Sequence, residues 1–130
     1  MSKTETIVKS LKLYLAASWT RRSELKIYCR TLEDRGYEVT SRWLWENTTQ
    51  RGEGAGNALK DEEDVKRCDV LVAFTDEVPL GRGGRHVEFG MARALDKELV
   101  VVGPKEHIFH YLPGVLVYSG WETFRGDWCA

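Results

Sequence analysis

Glu88 is the side chain in this sequence best suited by its setting to covalent chemistry. It stands in Gly81-Arg82-Gly83-Gly84-Arg85-His86-Val87-Glu88-Phe89-Gly90, a glycine-rich basic loop that runs into a helix. Glycines let backbone N–H groups approach a ligand closely, and a helix N-terminus favours negative charge. A carboxylate held ionised there, beside a pocket for a polar or anionic substrate, is a candidate nucleophile. A glutamate in a first helical turn also complements the dipole without doing chemistry, so position alone does not decide. The loop is no Walker motif, because no Gly-Lys-Ser/Thr follows. Nor is it a dinucleotide fingerprint, because His86 occupies the place of the third glycine.

Other chemistry-bearing groups are fewer. Arg21-Arg22 and Arg82/Arg85 are local basic clusters in a chain whose formal net charge is −1. That balance argues against a nucleic-acid polymer as partner, and a local cluster suits a small phosphate better. His107 and His110 are three apart, but no cysteine or carboxylate completes a metal-binding spacing with them or with His86, so neither a metal nor a cofactor is expected. Cys29, Cys68 and Cys129 are odd in number and form no CxxC pattern, which points to free thiols in a reducing compartment. No apolar segment approaches a membrane span, and residues 1–6 lack a signal-peptide run. A cytoplasmic protein is expected, with no membrane partner.

The elements that must position these groups follow from hydrophobic pattern. Apolar runs at 11–17, 69–74 and 98–102 read as buried strands, 37–45 as an edge strand, and 115–118 as a short fifth. Helical patterns fall between them. Residues 21–35 are capped by Thr20, and a helix opens at Asp61 with an acidic first turn. Residues 86–96 carry a stripe of Val87, Met91, Ala94 and Leu95. Near Pro104 and Gly120 only short helical turns are expected. The polar, glycine-rich stretch 47–57 reads as a long loop, either a lid or plain surface.

At 130 residues, with 42% hydrophobic and 30% charged content, the chain reads as one globular α/β domain, 1–130. Alternating strands and helices imply a flavodoxin/Rossmann-like three-layer sandwich. Its five-stranded, mostly parallel sheet has the order 2-1-3-4-5. Such a sheet binds ligands at the carboxyl ends of strands 1 and 3. The loops Ser18-Trp19-Thr20-Arg21-Arg22 and 75–88 meet there.

Strand 1 at Leu13-Tyr14-Leu15-Ala16-Ala17, then Asp69-Val70-Leu71-Val72-Ala73, Gly84-Arg85-His86-Val87-Glu88-Phe89-Gly90-Met91-Ala92-Arg93-Ala94-Leu95 and Lys97-Glu98-Leu99-Val100-Val101-Val102-Gly103, resemble the nucleoside 2-deoxyribosyltransferase-like family. That family includes nucleoside 5′-monophosphate N-glycosidases. The resemblance implies that Glu88 attacks the anomeric carbon of a nucleoside, releases the base and leaves a ribosyl-enzyme ester, which water or a second base resolves. It also implies a proton donor for the departing base.

The chain departs from the family at two places. Arg82 stands six residues before Glu88 where the transferases carry aspartate, and Ala17-Ser18 replaces Gly-Pro after strand 1. Asp76 is the chosen alternative carboxylate, ahead of Glu77 and Asp69. Arg82 or Arg85, with Ser18, Thr20, Arg21 and Arg22, would suit a 5′-phosphate through charge-assisted contacts. Gly83, Gly84 and His86 adjoin the substrate in this reading, while Trp19, Trp43 or Trp45 would stack on the base. A nucleoside or nucleotide is thus the expected small-molecule partner. The resemblance further implies a homo-oligomer, with the aromatic tail 121–128 either completing a neighbour's site or packing on its own domain. A non-catalytic nucleotide-binding module using the same crevice is the alternative function.

Overall fold

The computed structural model describes residues 10–46, 54–78, 81 and 83–129. Five strands, β1 (Lys12–Ala16), β2 (Glu38–Val39), β3 (Val70–Phe74), β4 (Glu98–Val102) and β5 (Leu116–Tyr118), form one sheet. Its order is β2-β1-β3-β4-β5 and every pairing is parallel, as the sequence pattern predicts. The central strands β1, β3 and β4 are buried on both faces, which is why they read as near-continuous apolar runs.

Four α-helices cover the sheet: α1 (Arg22–Asp34), α2 (Gly54–Arg67), α3 (Gly84–Ala94) and α4 (Trp121–Asp127). Helices α2 and α3 pack side by side and both touch β1. On the opposite face α1 meets α4, where Tyr28 stacks on Trp121 with ring centroids 4.1 Å apart. No described helix is long and apolar enough to cross a membrane.

Several local expectations are corrected. The edge strand is only two residues long, and residues Arg42–Trp45 form a 3-10 turn instead. The cause is side-chain capping of the ladder position that Leu15 would offer. Its N–H donates to Ser41 Oγ at 2.6 Å and its carbonyl accepts from Trp43 Nε1 at 2.8 Å. The Arg42 N–H, which an extended strand would direct at β1, donates to Asp64 Oδ2 at 3.0 Å.

The helix expected to open at Asp61 begins at Gly54, so Asp61 lies in its interior; residues 47–53 of the expected loop fall outside the described residues. Thr20 caps no helix. Its hydroxyl meets Ser18 Oγ, and a short 3-10 turn at Trp19–Arg21 leads into α1. The final helix is seven residues long rather than a half-turn, and its aromatics pack on their own domain. Phe124 is fully buried, Trp121 stacks on Tyr28, and Trp128 stacks on Tyr37.

The face that α3 presents to the sheet is also different from expectation. Val87 and Leu95 are exposed, while Arg85, Phe89 and Ala92 are buried. Residues three and four apart share a helix face. This rotation turns Glu88, beside Phe89 and three residues from Arg85, toward the sheet and α2.

Candidate active site

Three elements converge on Glu88. Tyr14, at the middle of β1, is wholly buried and donates its hydroxyl to Glu88 Oε2 at 2.5 Å. Strand alternation sends Leu13 and Leu15 to one face of the sheet and Tyr14 to the other, under α2 and α3. Asp61, from the interior of α2, faces Glu88 at hydrogen-bonding range.

Gly83 starts α3 with a φ of 91°, a left-handed conformation that costs glycine nothing, and so sets the helix phase that aims Glu88 inward. With Gly84 as its first residue, α3 has no acidic group in its opening turn. Glu88 therefore lies one turn deeper than the sequence pattern suggests, and the helix dipole is not what sets its charge.

Burial sets it instead. Loss of water pushes the Glu88 carboxyl up to about 8, with the Asp61 and Asp64 charges adding to the rise and the Tyr14 hydroxyl opposing it. Burial likewise lifts Asp61 to about 6, with the charge of Glu46 contributing. Two carboxyl groups in contact titrate as a pair and share one proton between those limits. Tyr14 is held well above its ordinary range, first by burial and then by the same two carboxylates, so it remains a donor. The ionised Glu88 expected from the helix N-terminus thus becomes a half-protonated pair, in which a carboxylate and a carboxylic acid stand side by side. Asp61 Oδ1 is buried with no hydrogen-bond partner.

Arg21 and Arg85 gather at the carboxyl end of β3, and carboxylates already engage them. Arg21 forks onto Glu24 at 2.7 and 2.9 Å, and its Nη1 donates to the Thr75 carbonyl and to Asp76 Oδ1. Arg85 is buried and bonds Glu106 at 2.7 Å, with Asp76 3.9 Å away. Arg22 donates to the Glu46 carbonyl and lies over the Trp19 ring at 4.1 Å. Asp76 is therefore an anchor between Arg21 and Arg85, and its Oδ2 is buried without a hydrogen-bond partner.

Gly103, at the end of β4, packs so tightly on Thr75 that any Cβ there would overlap it, which fixes the backbone next to Asp76. Asp69, at the start of β3, accepts the Lys12 N–H, a structural bond at the far end of the sheet, and Glu77 is exposed. Arg82 lies outside the described residues.

Of the aromatic candidates, Trp43 is buried with its indole N–H spent on Leu15, and Trp19 is half-buried beside it with centroids 6.1 Å apart. Trp45 is exposed, with Lys26 and Arg30 over its ring. Ser18 is buried, and His86, in the first turn of α3, is partly exposed.

Sequence reasoning missed Tyr14 and Asp61. Tyr14 sits inside an apolar run where it reads as one more core residue, and Asp61 sits in an acidic run that reads as dipole compensation. One signal was available: Asp61 and Asp64 are three apart and so share a helix face.

A cleft of about 450 Å³ opens elsewhere, lined by Lys12, Asp69, Asp96 and Glu98 at the amino ends of the strands. It shares no residue with the Glu88 cluster. Ligands of parallel α/β sheets bind at the carboxyl ends, the opposite end of the sheet from this cleft.

No protein-family model matches the chain, and no curated protein matches it in sequence. Solved structures do match it. The CMP N-glycosidase BcmB of Clostridium botulinum aligns over 90% of this chain and 97% of its own, with a TM-score of 0.63 and 21% identity. A 2-deoxyribosyltransferase of Bacillus psychrosaccharolyticus aligns over 85% of this chain and 88% of its own, with a TM-score of 0.67 and 17% identity. At these identities the likeness is one of fold, and it agrees with the family resemblance that the glycine loop and valine-rich strand carry. The chain has the α/β fold of a CMP N-glycosidase and a 2-deoxyribosyltransferase.

Proposed function

We propose that this protein breaks, or exchanges, the N-glycosidic bond of a nucleoside, deoxynucleoside or corresponding 5′-monophosphate. Glu88 is the nucleophile and Asp61 the acid. The observation that supports the reading is the half-buried carboxyl pair, with one member hydrogen-bonded by Tyr14. A structural carboxylate is ordinarily matched with a cation, and among the described residues Glu88 meets a phenol and a second carboxyl group instead.

The chemistry requires the shared proton to reside on Asp61 when substrate is bound. In the free pair burial leaves the proton on Glu88, so substrate binding must move it to Asp61, and the Tyr14 hydrogen bond to Glu88 supports the ionised form so produced. Glu88 then attacks the anomeric carbon as the bond to the base breaks, and Asp61 delivers the proton to the departing base. The developing oxocarbenium charge lies against the carboxylate, which stabilises it without reorganising solvent. Water or a second base then attacks the glycosyl ester and frees Glu88. Asp61, now ionised, accepts the proton from that incoming nucleophile, and the pair returns to its starting state.

Ser18, Trp19, Arg21, Arg22, Trp43, Gly83, Gly84, Arg85 and His86 form the surroundings in which the substrate is bound in this reading. A 5′-phosphate would compete with Glu106 and Asp76 for Arg85, and with Glu24 and Asp76 for Arg21. Asp76 thereby tunes the arginines, whereas Asp61 takes the acid role for which the sequence had offered Asp76.

The test is incubation with a panel of nucleosides, deoxynucleosides and monophosphates, with free base measured by chromatography. Base release by the wild type and none by Glu88→Gln is the expected result. Tight binding in a thermal-shift screen, with no base released from any compound, would replace the enzyme with a nucleotide-binding module.

A further inference from the structure

Away from the carboxyl pair, the turn after β4 folds back onto the start of α3 and brings all three histidines of the chain together. One ring nitrogen each of His86, His107 and His110 lies within 4.8 Å of the others. His107 Nε2 and His86 Nδ1 are 3.1 Å apart, close to the spacing of two nitrogen ligands on one small cation. His107 and His110 come from one 3-10 segment, Ile108–Tyr111 with the residue before it, and His86 comes from α3, 21 residues earlier. That separation is why no local spacing reveals the cluster.

Protein groups satisfy these rings only in part. His107 Nδ1 is buried with no hydrogen-bond partner. The facing nitrogens of His86 and His107 require a proton between them, or a cation. Arg85 is the neighbouring positive charge, and Glu106 neutralises it at 2.7 Å while its second oxygen lies 3.9 Å from His86 Nε2. Phe89 closes the cluster from α3, edge-on to His107 and His110.

We propose that His86, His107 and His110 bind a divalent first-row transition cation of the zinc type. Imidazole is the preferred ligand for this class, and three such ligands leave a coordination position for water. The cation would pin the 107–111 segment to the first turn of α3. His110 Nδ1 accepts the Glu106 backbone N–H at 3.0 Å. Ligation through either of its nitrogens gives that bond up, since a metal on Nε2 requires a proton on Nδ1. His86 and His107 give up only the bond they share with each other and should dominate the affinity.

The test uses full-length protein stripped with a chelator, then titrated calorimetrically with Zn²⁺ alone. One equivalent should bind, and His86→Ala or His107→Ala should weaken it at least about tenfold, the loss already seen for residues that merely support ligands. His110→Ala should weaken it less. A second readout needs no variant. In wild-type protein, Zn²⁺ should shift the ¹⁵N resonances of all three imidazoles and speed exchange of the Glu106 amide. No binding at one equivalent, binding unchanged in the His86 and His107 variants, or imidazole resonances that do not move would each overturn the proposal.

Discussion

Asp61 and Asp64 are the same residue type, one turn apart on the same helix, and the fold treats them oppositely. Asp64 is fully buried and fully matched. It accepts from the Arg42 backbone N–H, from Arg42 Nε at 2.9 Å and from Arg67 at 3.2 Å. Among the described residues Asp61 makes no ion pair with an arginine and feels the Arg42 charge as the smallest of its influences; it leaves one oxygen without a partner and confronts a second carboxyl group. Matching a buried charge with hydrogen-bonded cations is the ordinary structural solution, and leaving two carboxyls to share a proton costs stability. The contrast separates a carboxylate that holds the 3-10 turn in place from the pair to which the proposed function assigns chemistry.

Five experiments break or sharpen that contrast. Glu88→Gln should reduce base release at least about a thousandfold, as expected when a covalent nucleophile is removed, while circular dichroism shows an intact fold. Asp64→Asn should do the reverse. It should leave turnover per folded molecule near wild type and cost about 3 kcal/mol in urea denaturation, because Arg42 and Arg67 lose their shared anion.

Asp61→Asn should lower kcat/KM about 100-fold and change its pH profile. In the wild type the reactive form holds one proton on the pair. Activity should therefore fall below about 6, where both groups are protonated, and above about 8, where both are ionised. With asparagine at 61 the alkaline fall should vanish, since no acid remains to be titrated. Tyr14→Phe should cost about tenfold, the loss of one charge-assisted hydrogen bond, and should move the acidic limb upward because Glu88 loses the donor that favours its ionised form.

The smallest effect is on stability. Glu88 has its folded value raised to about 8 from an ordinary 4.5, so the native state binds the proton more tightly than the unfolded chain does. The stability this contributes is present at low pH and is lost as pH rises through that window. Glu88→Gln should accordingly raise Tm at pH 9 by roughly 3–6 °C, about 1 kcal/mol for a chain of this size, and by less at pH 5. Scanning calorimetry at the two pH values checks this.

The sheet was legible because β3 and β4 are apolar on both faces, and nothing but a doubly covered parallel sheet accommodates Val70–Phe74 and Glu98–Val102. The order of strands followed from chirality and economy of connection. What the pattern misread is instructive. Helix α3 buries Arg85 and exposes Val87, because the Arg85–Glu106 ion pair makes a charged residue a core residue. A hydrophobic stripe therefore pointed to the wrong face.

Edge strand β2 stopped early because Ser41 and Trp43 supply by side chain what a ladder supplies by backbone, an exchange invisible to alternation. Glu88 was singled out from its loop, but the residues that surround it were not. Tyr14 is 74 positions away, and Asp61 is reached only when α2 and α3 lie together. The histidine cluster is likewise assembled by tertiary contact.

The central claim is that Glu88 and Asp61 share a proton in a site where, among the described residues, neither forms an ion pair. Carbon-13 NMR of the labelled carboxyl groups across pH, in the wild type and in Asp61→Asn, tests it most directly. The account predicts that Glu88 titrates near 8 in the wild type, and lower once Asp61 no longer opposes its charge. A Glu88 carboxyl that ionises in the ordinary range near 4.5, indifferent to residue 61, would contradict it.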